Sequence, residues 1–241
     1  MEQTFNFPTE EIELPSKGLV YPSDNPLSSG KIIMKYMTAK EEDILTNQSY
    51  IQNGTVLDKL LQALIVSKIN YNDLIVGDKN AIMVAARILG YGSEYTFNYG
   101  GDEYTVDLTK INNKPFECSN KGVNEFEFKL PSTNTKITYK ILTHGDEQKI
   151  QSELDGLKKI NKNSSAELST RLKYMIISVG GERDPKTIRE FVDNQLLARD
   201  SRELRKHIKD TQPDVDLTFF PDGSTDRVDI PIGVKFFWPD F

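Results

Sequence analysis

The chain has 241 residues, 37% of them hydrophobic and 10% aromatic, and its 30 basic and 36 acidic side chains leave a formal net charge of −6. That length holds a sizeable core, and that composition excludes wholesale disorder. The acidic balance argues against nonspecific binding to nucleic acid or to an anionic membrane, and the single cysteine, Cys118, excludes a disulfide within the chain.

The opening residues, MEQTFNFPTEEIELP, have neither the basic nor the apolar region of a signal peptide, and the apolar runs LLQALIV and AIMVAARIL are far short of a membrane span. A cytosolic protein is the expectation. Residues 1–30 are rich in Pro, Ser, Gly and Asn. Pro15, Pro22 and Pro26 interrupt any helix, which predicts an extended arm with a short strand at Leu19–Tyr21. KIIMKYM (31–37) reads as a strand. Thr38 and Glu41 make a capping-box signature for a short helix running to about Thr46.

Leu57, Leu60, Leu61, Leu64 and Ile65 then share one helical face. Asp78 or Asn80 caps a following helix with Ile82, Met83, Ala86 and Leu89 at three- and four-residue spacing, stopped by Gly90 and Gly92. The period changes next. YTFNYGGDEYTVDL predicts a β-hairpin turning at Gly100-Gly101, and NEFEFKLPSTNTKITYKIL a second one turning at Ser132–Thr135.

Helices return after His144-Gly145, with a stripe of Ile150, Leu154, Leu157 and Ile160. Ser164 and Glu167 suggest a second capping box, before a helix carrying Leu168, Leu172, Met175, Ile176 and Val179 as far as Gly180-Gly181. Asp184-Pro185 starts another helix, and Asp200 with Glu203 a third. A last hairpin turns at Pro221–Gly223 and delivers the aromatic end, VKFFWPDF. The pattern is α+β: an arm over 1–30, helices with antiparallel hairpins over 31–143, and a helical region with a closing hairpin over 144–241. The boundary is expected near Thr143–Gly145.

No catalytic or cofactor-binding constellation stands out. The glycines of GYGSEYTFNYGG flank a strand and are not followed by the Lys-Ser/Thr of a phosphate loop. Cys118 and His144 are the one nucleophile-and-base pair available, which keeps a hydrolase as an alternative. HGDE at 144–147 reads as a helix start more readily than as a metal site, so neither metal nor cofactor is expected. Arg202, Arg205, Lys206 and Lys209 form a short basic face, the basis of a second alternative, a nucleic-acid-binding module. What remains is a set of parts for binding proteins. These are a Pro-bearing segment with Leu14, Pro15, Leu19, Tyr21 and Pro22, and an aromatic end with Phe236, Phe237, Trp238 and Phe241. The aromatic end either docks on its own domain or anchors a neighbour.

Two stretches carry a family resemblance. One is IELPSKGLVYP with GKIIMKYMTAKEEDILTNQSYIQNGTVLDKLLQALI; the other is YMIISVGGERDPKTIREFVDNQLLARDSRELRKHIKDTQPDVDL, closing in IPIGVKFFWPDF. Together they resemble the T4-type phage baseplate family, over about residues 11–241. LPSKGLVYP, MTAKEEDIL, LLARDSRELRKHI and FFWP are the most specific pieces. The resemblance implies a non-enzymatic role in a contractile tail, as a baseplate hub subunit or a hub assembly factor. It implies other hub or tail proteins as partners, no small-molecule substrate, and action in the host-cell cytoplasm. Related tail-assembly proteins often carry a Cys pair in the last hairpin, where this chain reads FFPDGS (Phe219–Ser224), so the resemblance implies no zinc here.

Overall fold

The computed structural model describes residues 8–160, 166–221 and 227–237. The fold is α+β, with four small antiparallel sheets and two hydrophobic cores among the described residues. Among the described residues, no helix is long and apolar enough to cross a membrane.

The first core begins at the N-terminus. Strand β1 (Thr9–Glu13) pairs antiparallel with β2 (Lys31–Lys35), with Ile12 opposite Ile32. Residues 8–30 are therefore not a free arm. Leu14, Val20, Tyr21 and Leu27 are all buried, and Leu19–Tyr21 is a succession of turns where a strand was expected. Helix α1 (Ala39–Leu45) starts at the capping box, where Glu41 accepts from both the amide and the hydroxyl of Thr38. A five-residue helix that the periodicity misses, α2 (Gln48–Gln52), leads to α3 (Val56–Leu64), which buries Leu60, Leu61 and Leu64.

Helix α4 (Val76–Tyr91) is the centre of this core. Six consecutive residues, Ala81 to Ala86, are buried, so the helix is enclosed on all sides and its small side chains let neighbours approach. Its start precedes the caps read from the sequence, leaving Asp78 inside the first turn. Gly90 belongs to the helix and Gly92 caps it. Arg87 is buried near that cap; it donates to the carbonyls of Gly92 and Glu94 and lies over the rings of Tyr91 and Tyr95. It thereby fixes the turn into β3 (Glu94–Tyr99), which pairs with β4 (Asp102–Asp107). Gly100 and Gly101 both have positive φ, as a tight two-residue hairpin requires, and Phe97 lies opposite Tyr104.

The second core forms on a three-stranded sheet. Strands β5 (Phe126–Lys129) and β6 (Lys136–Tyr139) make the expected hairpin. Helix α5 (His144–Ile160) and α6 (Glu167–Met175) follow. Ser164, read as the start of a capping box, lies outside the described residues. The helix expected to run to Val179 ends at Met175. Ile176–Val179 instead forms β7 and pairs with β6. The β-branched side chains of this stretch favour a strand, and β6 offers an open edge for it. Helix α7 (Pro185–Asn194) is capped by Asp184, which accepts from the Thr187 amide. Helix α8 (Ala198–Thr211) buries Leu204 and Ile208.

The chain then returns to the first core. Val215 bridges Asn113, β8 (Thr218–Phe219) pairs with β9 (Val228–Asp229), and a 3-10 turn at Val234–Phe237 buries Phe236 and Phe237. A boundary at 143–145 therefore misplaces two segments. The β5–β6 hairpin, before it, packs in the second core, and residues 215–219 and 228–237, after it, pack in the first. The return crosses α4 closely: a Cβ on Gly77 would overlap the Pro213 carbonyl oxygen and sit 2.8 Å from its carbon. Gly77→Ala should destabilise the protein by about 2–4 kcal/mol, since backbone must move on one side. Denaturant melts check this, and a loss below about 1 kcal/mol would mean the crossing relaxes freely.

Candidate functional site

The residues singled out near the N-terminus converge on one buried carboxylate. Asp78, with no solvent exposure, accepts from the Ser16 amide at 2.9 Å, the Ser16 hydroxyl at 2.7 Å and the Tyr21 hydroxyl at 2.6 Å. The Tyr21 oxygen in turn accepts from the Ile75 amide at 3.1 Å. Burial pushes the Asp78 carboxyl above its ordinary range, while the Tyr21 and Ser16 donors pull it back. Burial, and then the charge of Asp78, also raise the Tyr21 phenol. This carboxylate ties the segment 14–22 to the start of α4. Leu14, Pro15 and Tyr21 are buried, Leu19 is half-buried and Pro22 exposed. As surface for a partner, only Pro22 and part of Leu19 are presented. Leu14, Pro15 and Tyr21 serve the chain's own core.

The aromatic end is brought to the β3–β4 hairpin. Phe236 meets Tyr95 edge-on at 4.7 Å and Phe237 at 5.5 Å; Tyr95 stacks on Phe97, and Phe97 meets Phe219 edge-on at 5.7 Å. Phe236 and Phe237 are thus docked internally. Trp238 and Phe241 lie outside the described residues.

His144 lies at the inner wall of a cleft of about 880 Å³, between the starts of α3 and α4 and the body of α5. Its amide donates to the Leu74 carbonyl at 2.7 Å and its ring packs edge-on to Tyr71 at 4.7 Å. Lys79 Nζ is 3.4 Å from Nδ1, Gln148 Nε2 is 3.0 Å from Nε2, and Asp58 Oδ1 is 3.8 Å from Nδ1. An ammonium only donates, so Nδ1 accepts and the neutral ring carries its proton on Nε2. The Gln148 side-chain oxygen accepts from that N–H once the amide oxygen and nitrogen are exchanged, a change that leaves its shape the same. Asp58 meanwhile pairs with Lys79 and accepts from the Tyr71 hydroxyl.

Burial, reinforced by Lys79 and opposed by Asp58 and Glu147, lowers the proton affinity of His144 below the ordinary imidazole value of 6.5. A folded value below the unfolded one means that the unfolded chain takes up the proton first. The stability supplied by the neutral ring is whole above about pH 6.5 and is lost as pH falls below it. His207, held below its ordinary value by burial, adds to the same trend. Melts at about pH 7.5 and about pH 5.5 should show the loss, and His144→Gln should reduce it. An unchanged pH slope in that variant would rule out His144 as its source.

Cys118 and His144, the pair behind the hydrolase alternative, are not joined to each other. The Cys118 thiol donates to the Asn120 carbonyl at 3.3 Å, while both nitrogens of His144 face Lys79 and Gln148. His207 also serves packing, stacked on Phe128 at 4.6 Å and edge-on to Tyr139 at 5.9 Å. Among the described residues, no three His, Cys, Asp or Glu side chains converge to hold a metal ion. Arg202, Arg205, Lys206 and Lys209 all lie on the exposed face of α8. On the opposite face, Asp200 accepts from the amides of Ser132 and Thr133, at 2.7 and 3.2 Å, and so secures the β5–β6 turn.

Asp78, the Asp58–Lys79–His144 cluster and this role of Asp200 were not legible in the sequence. An acidic residue in a helix's first turn reads as complementing the helix dipole, and nothing local names a partner 60 or more residues away, as the 62-residue separation of Ser16 from Asp78 illustrates. Comparisons with protein-family models, with curated proteins and with solved structures found no match.

Proposed function

We propose that the chain is a non-catalytic protein of the phage baseplate hub, acting in tail assembly through protein contacts, either as a hub subunit or as a hub assembly factor. The observation that carries this reading is the sequence resemblance over about residues 11–241, and where its most specific pieces fall. LPSKGLVYP is the segment bound to Asp78, MTAKEEDIL opens with the Thr38–Glu41 capping box, and LLARDSRELRKHI brings Asp200 under the β5–β6 turn. The Phe236-Phe237 pair of FFWP packs on Tyr95. Each piece therefore sets the fold of the chain itself. On this reading, partner-binding surfaces are to be sought on the exposed faces.

The reading places the protein in the host-cell cytoplasm during assembly, with hub or tail proteins as partners. Affinity capture of a tagged chain from infected cells, beside quantitative mass spectrometry of purified tails, tests it. Hub proteins in the capture and the chain in tails at fixed stoichiometry make it a subunit. Hub proteins in the capture without the chain in tails make it an assembly factor. Absence from both overturns the proposal.

A further inference from the structure

The outer face of α8 carries charge that the fold leaves unanswered. Arg199, Arg202, Lys206 and Lys209 recur at spacings of three, four and three residues, all exposed, and Arg205 flanks them. On an α-helix this places four cations along one side over about 15 Å. Arg202 with Lys206, and Arg205 with Lys209, are like-charge pairs four residues apart, an arrangement that weakens a helix on its own.

Three arginines outside α8 are answered by carboxylates. Arg171 pairs with Glu147 at 2.6 Å, Arg183 with Glu125 at 2.6 Å and Arg189 with Glu153 at 2.8 Å. On α8 the one carboxylate contact among the described residues is Arg202 to the adjacent Glu203 at 3.5 Å, while Arg205 turns to the Ser201 carbonyl. Among the described residues, no carboxylate pairs with Arg199, Lys206 or Lys209.

From this we infer that the exposed face of α8 is a docking surface for a carboxylate-rich segment of a partner protein, presenting acidic side chains along one side over a matching length. The inference rests on the assembly reading only in taking the partner to be a protein. Duplex DNA fits less well. It calls for a basic footprint spread over several elements, whereas these cations are confined to one helix of 14 residues in a chain of net charge −6. The face also offers no aromatic side chain on which single-stranded bases would stack.

The test uses the full chain and a labelled helical peptide of about 20 residues made of Glu and Ala, with anisotropy read at about 50 and about 200 mM salt. Wild type should bind the peptide at low salt, and Arg202→Glu/Lys206→Glu should weaken it by about tenfold or more. Lys158→Glu/Lys159→Glu, the same charge change on exposed side chains ending α5, should alter it less than about twofold. No binding by wild type, equal losses in both variants, or tighter binding of a duplex of about 20 base pairs than of the peptide would each overturn the inference. Capture from infected cells separates this surface from the assembly reading. Hub proteins retained by the α8 variant would reject the surface alone, whereas a wild-type chain that captures none would reject the assembly reading and leave the peptide result to decide the surface.

Discussion

Asp78→Ala should lower the unfolding free energy by about 3–6 kcal/mol. The substitution leaves the Ser16 amide, the Ser16 hydroxyl and the Tyr21 hydroxyl without their acceptor in a region with almost no solvent access. Each stranded buried donor costs about 1–3 kcal/mol, with some recovery as hydroxyls turn. For a chain of this size that is a fall in melting temperature on the order of 10 °C. Asp78→Asn should cost roughly half as much, because the amide oxygen still accepts and its hydrogens meet hydroxyls that accept in turn. Tyr21→Phe and Ser16→Ala should each cost about 1–2 kcal/mol, and a double-mutant cycle with Asp78 should show strong coupling. If segment 14–22 were instead a loosely held arm awaiting a partner, Asp78→Ala would cost less than about 1 kcal/mol and the cycle would show no coupling.

The same carboxylate shows why part of this fold was legible in the sequence and part was not. Elements whose evidence lies within a few residues were readable. Thr38 with Glu41, Asp184 with Pro185, and Gly100 with Gly101 each settle a local backbone choice, and each is used as its chemistry suggests. Elements settled by remote contacts were misread. Ile176 and Val179 continue the helical spacing set by Leu172, so only the open edge of β6 reveals them as a strand. Pro15 and Pro22 announce a break from helix, yet not that Asp78 gathers the residues between them into the core. The candidate surfaces divide in the same way. The basic face of α8 is visible as a periodicity, but its scarcity of ion pairs among the described residues becomes visible only against the paired arginines elsewhere.

The chain order of the two cores has a consequence for folding. The first core holds α4 at its centre but is completed by residues 215–219 and 228–237, after the whole of the second core has intervened. Closing so long a loop is entropically costly, so the return of the C-terminal segment should be a late event. The β3–β4 hairpin is the element most dependent on it, since Tyr95 and Phe97 are covered from that side by Phe236 and Phe219.

Phe236→Ala measures that dependence. Phe236 is 1% exposed, and removing its ring should cost about 3–5 kcal/mol through lost burial and the cavity left behind. The loss should also be local in a way that hydrogen exchange resolves. Amides of β3 and β4 should lose protection strongly, while those of α6, α7 and α8, in the second core, should lose little. Phe237→Ala should resemble it, and the double variant should cost less than the sum, because the two rings meet at 5.5 Å and share one cavity. The opposite result is as definite. If the aromatic end served chiefly to anchor a neighbouring protein, Phe236→Ala would leave the melt unchanged and abolish capture of hub proteins. Internal docking predicts instead that capture falls only as far as the folded fraction does, because Phe236 acts through the fold of the first core and not on a partner.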